Sequence, residues 1–295
     1  MDQPLPTQLV SPAERSAPAD WWSQVTAPPT ASPVAAFGTG WLIARTFGTW
    51  GRNVLRFAPL GLLGNAPMAV AMYLIYSFMP GLMVQRSPPL ERIVSLVSAF
   101  GGAWLVTVLL YPLILGAIAH GAVQGLRGQS VRVGAMLQAG ARSYFRVLLM
   151  GFLASLAMIP AALLLVVPAI IPMVGWSASI PAVVVERLGP VRGLGRSWEL
   201  TRGHRWKVFA GIAVATMAVW LVASLFQGAT LAALMLMRGP RGLAPGPAMA
   251  IPMGVYQLVG GAVNTVIHVA CAAAYHGLRT VKEGGDPETL ARVFE

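Results

Sequence analysis

The chain has 295 residues, of which 56% are hydrophobic and only 11% charged, with a mean hydropathy of +0.66. A soluble domain carries roughly 25% charged residues, so this composition excludes an ordinary water-soluble fold and indicates a membrane protein. The formal net charge of +11 reads as basic loops facing an anionic leaflet and not as a nucleic-acid footprint, because the arginines flank apolar windows instead of lining one face.

Residues 1–36 read as a disordered cytoplasmic tail, rich in Pro, Ser, Ala and Thr. Asp2, Glu14 and Asp20 interrupt its first twenty residues, so no secretory signal is expected there. Trp21–Trp22 stands out as an interfacial or binding motif, or as an adventitious aromatic pair.

The stretch IARTFGTWGRNVLR follows. Ile43, Phe47, Trp50 and Val54 recur at i, i+4, i+7 and i+11, and Arg45, Thr49, Arg52 and Arg56 recur at the same spacing on another face. This predicts an amphipathic helix with an aromatic side and a cationic side, suited to lying among lipid headgroups. A shift of 90 residues gives Val133, Leu137 and Tyr144, with Gly140 leaving a gap, and the cations Arg142 and Arg146. A shift of 151 gives Leu194, Trp198 and Thr201, the cations Arg196 and Lys207, and Arg205 interrupting the apolar side. Three units are therefore expected, each an interfacial helix followed by a membrane hairpin. Chance patterning of basic loops is the alternative.

Five windows lack Asp, Glu, Lys and Arg: 57–85, 93–126, 147–185, 208–237 and 242–278. A membrane helix needs about 20 residues, so four windows suit one span each and the third suits two. Pro168–Trp176 is the expected turn between those two. Charge selects six spans. The inside segments then hold 17 cations and the outside loops only Arg86, Arg92, Arg238 and Arg241, whereas five spans would divide the cations almost evenly. The expected fold is all-α, a polytopic membrane domain over 37–282 with spans at about 57–80, 93–122, 147–168, 172–186, 208–236 and 250–277. Basic amphipathic helices lie on its cytoplasmic side, and both termini are cytoplasmic.

The cations on and around those amphipathic segments, Arg45, Arg52, Arg56, Arg142, Arg146, Arg196, Arg202 and Lys207, are candidate lipid-headgroup contacts. Within the spans, His120 and Gln124 lie beside the small residues Ala117, Gly121 and Gly125, which suits close helix packing with cross-helix hydrogen bonds. A ligand or proton-relay role for His120 is the alternative. Gln257, Asn264 and His268 form a sparse polar stripe that either joins helices or lines a path for a solute. Glu186, at the inner end of the fourth span, either pairs with a loop arginine and pins the third amphipathic helix or stays solvated at the interface. The lone Cys271 reads as a packed hydrophobe. No metal spacing, carboxylate pair or nucleotide fingerprint occurs, so no catalytic residue, metal or cofactor is expected. After Gly284–Gly285 the segment 283–295 reads as a short C-terminal helix opened by Asp286 and Pro287.

The runs FGTGWLIARTFGTWGRNVLRF at 37–57, RSWELTRGHRWKVF at 196–209 and YHGLRTVKEGGDPETLARVF at 275–294 resemble the membrane domain fused to some bacterial glycerophosphoryl diester phosphodiesterases. That likeness implies a six-span helical domain of the bacterial inner membrane. It does not imply phosphodiesterase activity, because no acidic metal-ligand set of a catalytic domain stands in this sequence. The expected role is a non-enzymatic scaffold or accessory module touching membrane lipids, with a membrane-protein partner or a second copy as further partners. A transporter for a small or lipid-like solute and a lipid-modifying enzyme are the alternatives.

Overall fold

The structure, a computed structural model, describes residues 37–83, 90–164, 166–239 and 246–284. The Trp21–Trp22 pair and the helix expected beyond residue 284 lie outside them. Among the described residues the chain forms nine α-helices and no strand. They are α1 (Thr39–Arg52), α2 (Val54–Met83), α3 (Leu90–Leu126), α4 (Val133–Leu164), α5 (Val166–Gly175), α6 (Ser179–Val185), α7 (Pro190–Thr201), α8 (Arg205–Arg238) and α9 (Pro247–Glu283). The helices α2, α3, α4, α8 and α9 each contain a stretch long and apolar enough to cross a membrane. Their outer faces carry Trp104, Leu109, Phe152, Leu156, Trp220, Leu225 and Leu236, all exposed. Apolar surface on this scale suits lipid and not water.

The long helices meet through residues without side chains. A Cβ on Gly261 would lie 2.6 Å from the Gly61 carbonyl oxygen, and Gly254 approaches Ala69, so α2 and α9 run antiparallel with their backbones touching. On the neighbouring pair, a Cβ on Gly116 would come 2.8 Å from Ser143 Oγ, and one on Gly140 would run into the Leu113 carbonyl. The small side chain at Gly140 is therefore not a gap in an apolar face; the backbone of α3 fills it. Small residues at such crossings gain dispersion contact over the whole helix length, the main attraction left where lipid is as apolar as the side chains.

Three expectations about element boundaries change. The first amphipathic helix does not run through to 56. It stops at Arg52, where Asn53 Nδ2 donates to the Thr49 carbonyl (3.0 Å), and α2 restarts at Val54. The second is not a separate helix, because Val133–Leu164 is continuous, so its amphipathic part is simply the basic end of a long helix. The third, α7, is separate, ending in the turn at 202–204. Of the turn expected at Pro168–Trp176, residues 168–175 are helix, and the turn begins only at Trp176. The non-helical chain falls at 176–178, and the fourth apolar segment is thus two short helices, α5 and α6.

That break is closed by α7. Ser197 Oγ donates to the Gly175 carbonyl (2.7 Å) and accepts from the Ala178 N–H (3.1 Å), while Thr201 Oγ1 also donates to Gly175 O (3.3 Å). The backbone groups released by the break therefore have partners, as an apolar environment demands. The Trp198 ring packs on Gly175, and the Arg205 guanidinium lies over that ring at 3.9 Å. Arg205 thus does not disrupt the apolar side; it stacks on it.

The repeated segment is buried in a common register. Thr46, Met136 and Ser197 are buried, as are Phe57, Val147 and Val208, and Leu60, Met150 and Gly211. These are equivalent positions under the same shifts of 90 and 151 residues. The buried stripe of α1 is Leu42, Thr46, Thr49 and Asn53, one residue before the expected aromatic stripe, whose members are half-buried. Thr49, expected on the cationic side, is fully buried.

Gly140→Leu should destabilise the protein by about 1–3 kcal/mol or more through overpacking, whereas Gly134→Ala, with open space at its Cβ, should not. Thermal unfolding in detergent, followed by circular dichroism, separates the two.

Candidate functional site

All the helix ends on one side of the bundle are basic. There the ends of α3, α6 and α9 meet α1, α7 and the starts of α2, α4 and α8. Phe37 packs on His204, Gly277 approaches Phe37 and Trp41, and Arg196 and Lys282 join α7 to α9. Among the described residues, the only cations at the opposite end are Arg92 and Arg238.

Glu186 is the fixed point of this end. It follows the last residue of α6 and accepts two hydrogen bonds from Arg196 Nε (3.0 and 3.3 Å), one from Arg196 Nη2 (3.3 Å) and one from the Tyr275 hydroxyl (2.8 Å). Arg196 also pairs with Glu283, which Arg279 Nε binds at 2.9 Å. One carboxylate therefore ties α6 to both α7 and α9. Burial opposes the charge on Arg196, but hydrogen bonds and attraction from Glu283 and Glu186 outweigh it and hold the guanidinium above its ordinary range.

Beyond this network lies a cavity of about 440 Å³. The inner end of α3 supplies His120, Gln124 and Arg127 to it, and the following loop supplies Gln129. The first half of α4 contributes Gln138, Arg142, Ser143 and Arg146, and the remaining polar lining is Arg187 and Arg279. No lining residue is acidic. Arg187 has φ +54°, a left-handed backbone that costs a non-glycine residue about 1–2 kcal/mol. The clamp on Glu186, one residue earlier, sets where Arg187 leaves the helix. Gln124 Oε1 is buried and accepts no hydrogen bond.

The candidate residues named from sequence thus separate into groups. His120, Gln124, Arg142 and Arg146 come together in the cavity lining. The small stripe beside them packs as expected of small residues, Gly121 against Met136 and Gly125 against Thr49. Arg45 lies 5.8 Å from the Trp41 ring, Arg56 donates to Asn53 Oδ1 (2.6 Å), and Arg52 is exposed. Arg202 is exposed in the turn after α7, and Lys207 Nζ lies 3.5 Å from the Phe37 carbonyl. Asn264 Nδ2 donates to the Tyr111 hydroxyl (3.3 Å), which also pairs with His268 Nε2 (2.8 Å), so this stripe joins α9 to α3. Gln257 is half-buried farther out on α9. Arg127, Arg187, Arg279, Gln129 and Gln138 were not singled out from sequence. Their only signal was position at the ends of apolar windows.

A family model described as a domain of unknown function (DUF7847) matches residues 148–278, from within α4 to within α9. No curated protein matches the chain, and no solved structure does.

Replacing Glu186 by Gln should lower stability by about 1.5–3 kcal/mol, the usual worth of hydrogen bonds to a charged group. Lys207→Gln, which leaves the clamp intact, should change it little. Comparing their midpoints of thermal unfolding checks this.

Proposed function

We propose that this chain is a non-enzymatic module of the bacterial inner membrane, crossing it six times, with its basic end set against the anionic cytoplasmic leaflet. The segregation of cations to one end of an apolar helix bundle carries this reading. The sixth span in this account is the α5–α6 pair, a broken helix whose exposed backbone is served by Ser197 and Thr201. On the cytoplasmic side α1 and α7 lie in the headgroup layer, with Arg45, Arg52 and Arg192 toward lipid phosphates and exposed Val191 and Trp206 in the interface. The resemblance of residues 37–57, 196–209 and 275–294 to the membrane domain of glycerophosphoryl diester phosphodiesterases supports the same topology, and we offer kinship with it as part of this proposal. A transporter reading is weaker, because Asn264 and His268 are both held by Tyr111.

Topology is tested in a Cys271→Ala background. Cysteines at Ala44 and Gly195 should react with an impermeant maleimide only from the cytoplasmic face, and one at Leu90 only from the opposite face. Labelling of Gly195→Cys from the same face as Leu90→Cys would overturn the six-span reading. Contact with the leaflet is tested in nanodiscs of rising phosphatidylglycerol content. The wild-type melting temperature should rise with anionic lipid and fall back with salt. Arg45→Gln/Arg52→Gln/Arg56→Gln should lose most of that dependence, at about 1 kcal/mol per cation near the surface.

A further inference from the structure

We propose that the arginine-lined cavity is a specific site for a phosphate group, with the headgroup of an anionic phospholipid as its source. This deepens the leaflet-contacting reading and rests on it for the lipid source.

Two observations converge. First, the cavity gathers Arg142 and Arg146 from α4, Arg187 from the end of α6 and Arg279 from α9, with no carboxylate in its lining. Guanidinium groups present planar pairs of N–H donors that match phosphate oxygens. Several cations gathered around one space repel one another unless an anion lies between them. Arg279 already binds Glu283, outside the lining. Second, about 440 Å³ is within the range of roughly 300–1,000 Å³ typical of small-molecule sites. Arg187 takes its left-handed backbone at the residue after the C-cap Glu186, a common way for a helix to end, and this turn places it in the cavity lining.

The experiment uses the full chain in a nonionic detergent and follows thermal stabilisation on titration. The probes are short-chain phosphatidylglycerol, short-chain phosphatidylcholine, glycerol phosphate and inorganic phosphate. Phosphatidylglycerol should stabilise the wild type. Phosphatidylcholine should not, because its choline is repelled by the same arginines. Arg142→Gln and Arg187→Gly should each weaken phosphatidylglycerol binding about tenfold, the loss of one charge-assisted contact. Arg187→Gly is the decisive variant, because glycine accepts φ +54° freely. It should therefore melt no lower than wild type without ligand, and a binding loss there is not a folding defect. Glycerol phosphate or inorganic phosphate stabilising with the same sensitivity to both variants, while the lipid does not, would support the phosphate site with a soluble source. Equal stabilisation by phosphatidylcholine, or wild-type affinity in both folded variants, would overturn it. Failure here with the salt-sensitive lipid dependence still lost in Arg45→Gln/Arg52→Gln/Arg56→Gln removes the cavity and leaves the leaflet reading. Failure of both removes that reading as well.

Discussion

Between α5 and α6 the chain leaves its helical hydrogen-bond ladder among apolar side chains, and the groups released there must find partners within the protein. Ser197 supplies them, bridging the Gly175 carbonyl and the Ala178 N–H. The consequence spreads outward. Holding Ser197 against the break fixes α7 across it. This brings Arg196 to Glu186, and Glu186 then draws in Tyr275 of α9. The clamp in turn sets the backbone of Arg187 beside the cavity. The polar end of the molecule is organised by a defect in its apolar part, and the defect is tolerable only because a short polar helix covers it.

The rest of the bundle obeys the same economy of polar groups in apolar surroundings. Close backbone approaches at Gly61–Gly261 and Gly116–Gly140 replace the hydrophobic driving force that lipid removes. Side-chain hydrogen bonds between distant helices are few and placed where helices cross, as with Trp50 to Thr265 (2.8 Å) and Tyr111 to His268. Polar residues on the helices thus chiefly determine which helix lies beside which. The arginines, by contrast, are concentrated where headgroups or water can solvate them.

The amphipathic segments show how far periodicity can be read. The spacing of Ile43, Phe47, Trp50 and Val54 locates α1 correctly, but the stripe that packs is Leu42, Thr46, Thr49 and Asn53. The miss is one residue, about 100° around a helix. Its cause is that threonine, serine and glycine are preferred where backbones approach closely, so the packed face is less apolar than its neighbour. Gly140 is the same lesson, since a residue that weakens an apolar pattern is what lets α3 touch α4. Likewise, Arg142, Arg146, His120 and Gln124 were each legible as candidates. Their meeting was not, because it depends on the register of α3 against α4, which Gly116 and Gly140 set through space.

The sequence by itself determined the class of this protein. Sparse charge, long apolar windows and arginines gathered at their edges dictate a helical membrane bundle with one basic end, because charge and backbone polarity are costly in hydrocarbon whatever the arrangement of helices. Only the tertiary structure decided that the fourth apolar segment is two short helices, that Glu186 rather than any loop cation is the hub, and that Arg127, Arg187 and Arg279 share a cavity with Arg142. Those facts depend on contacts between residues far apart in the chain, such as Glu186 and Tyr275, 89 positions apart. No local pattern encodes them, because each arises from the fit of one helix surface against another.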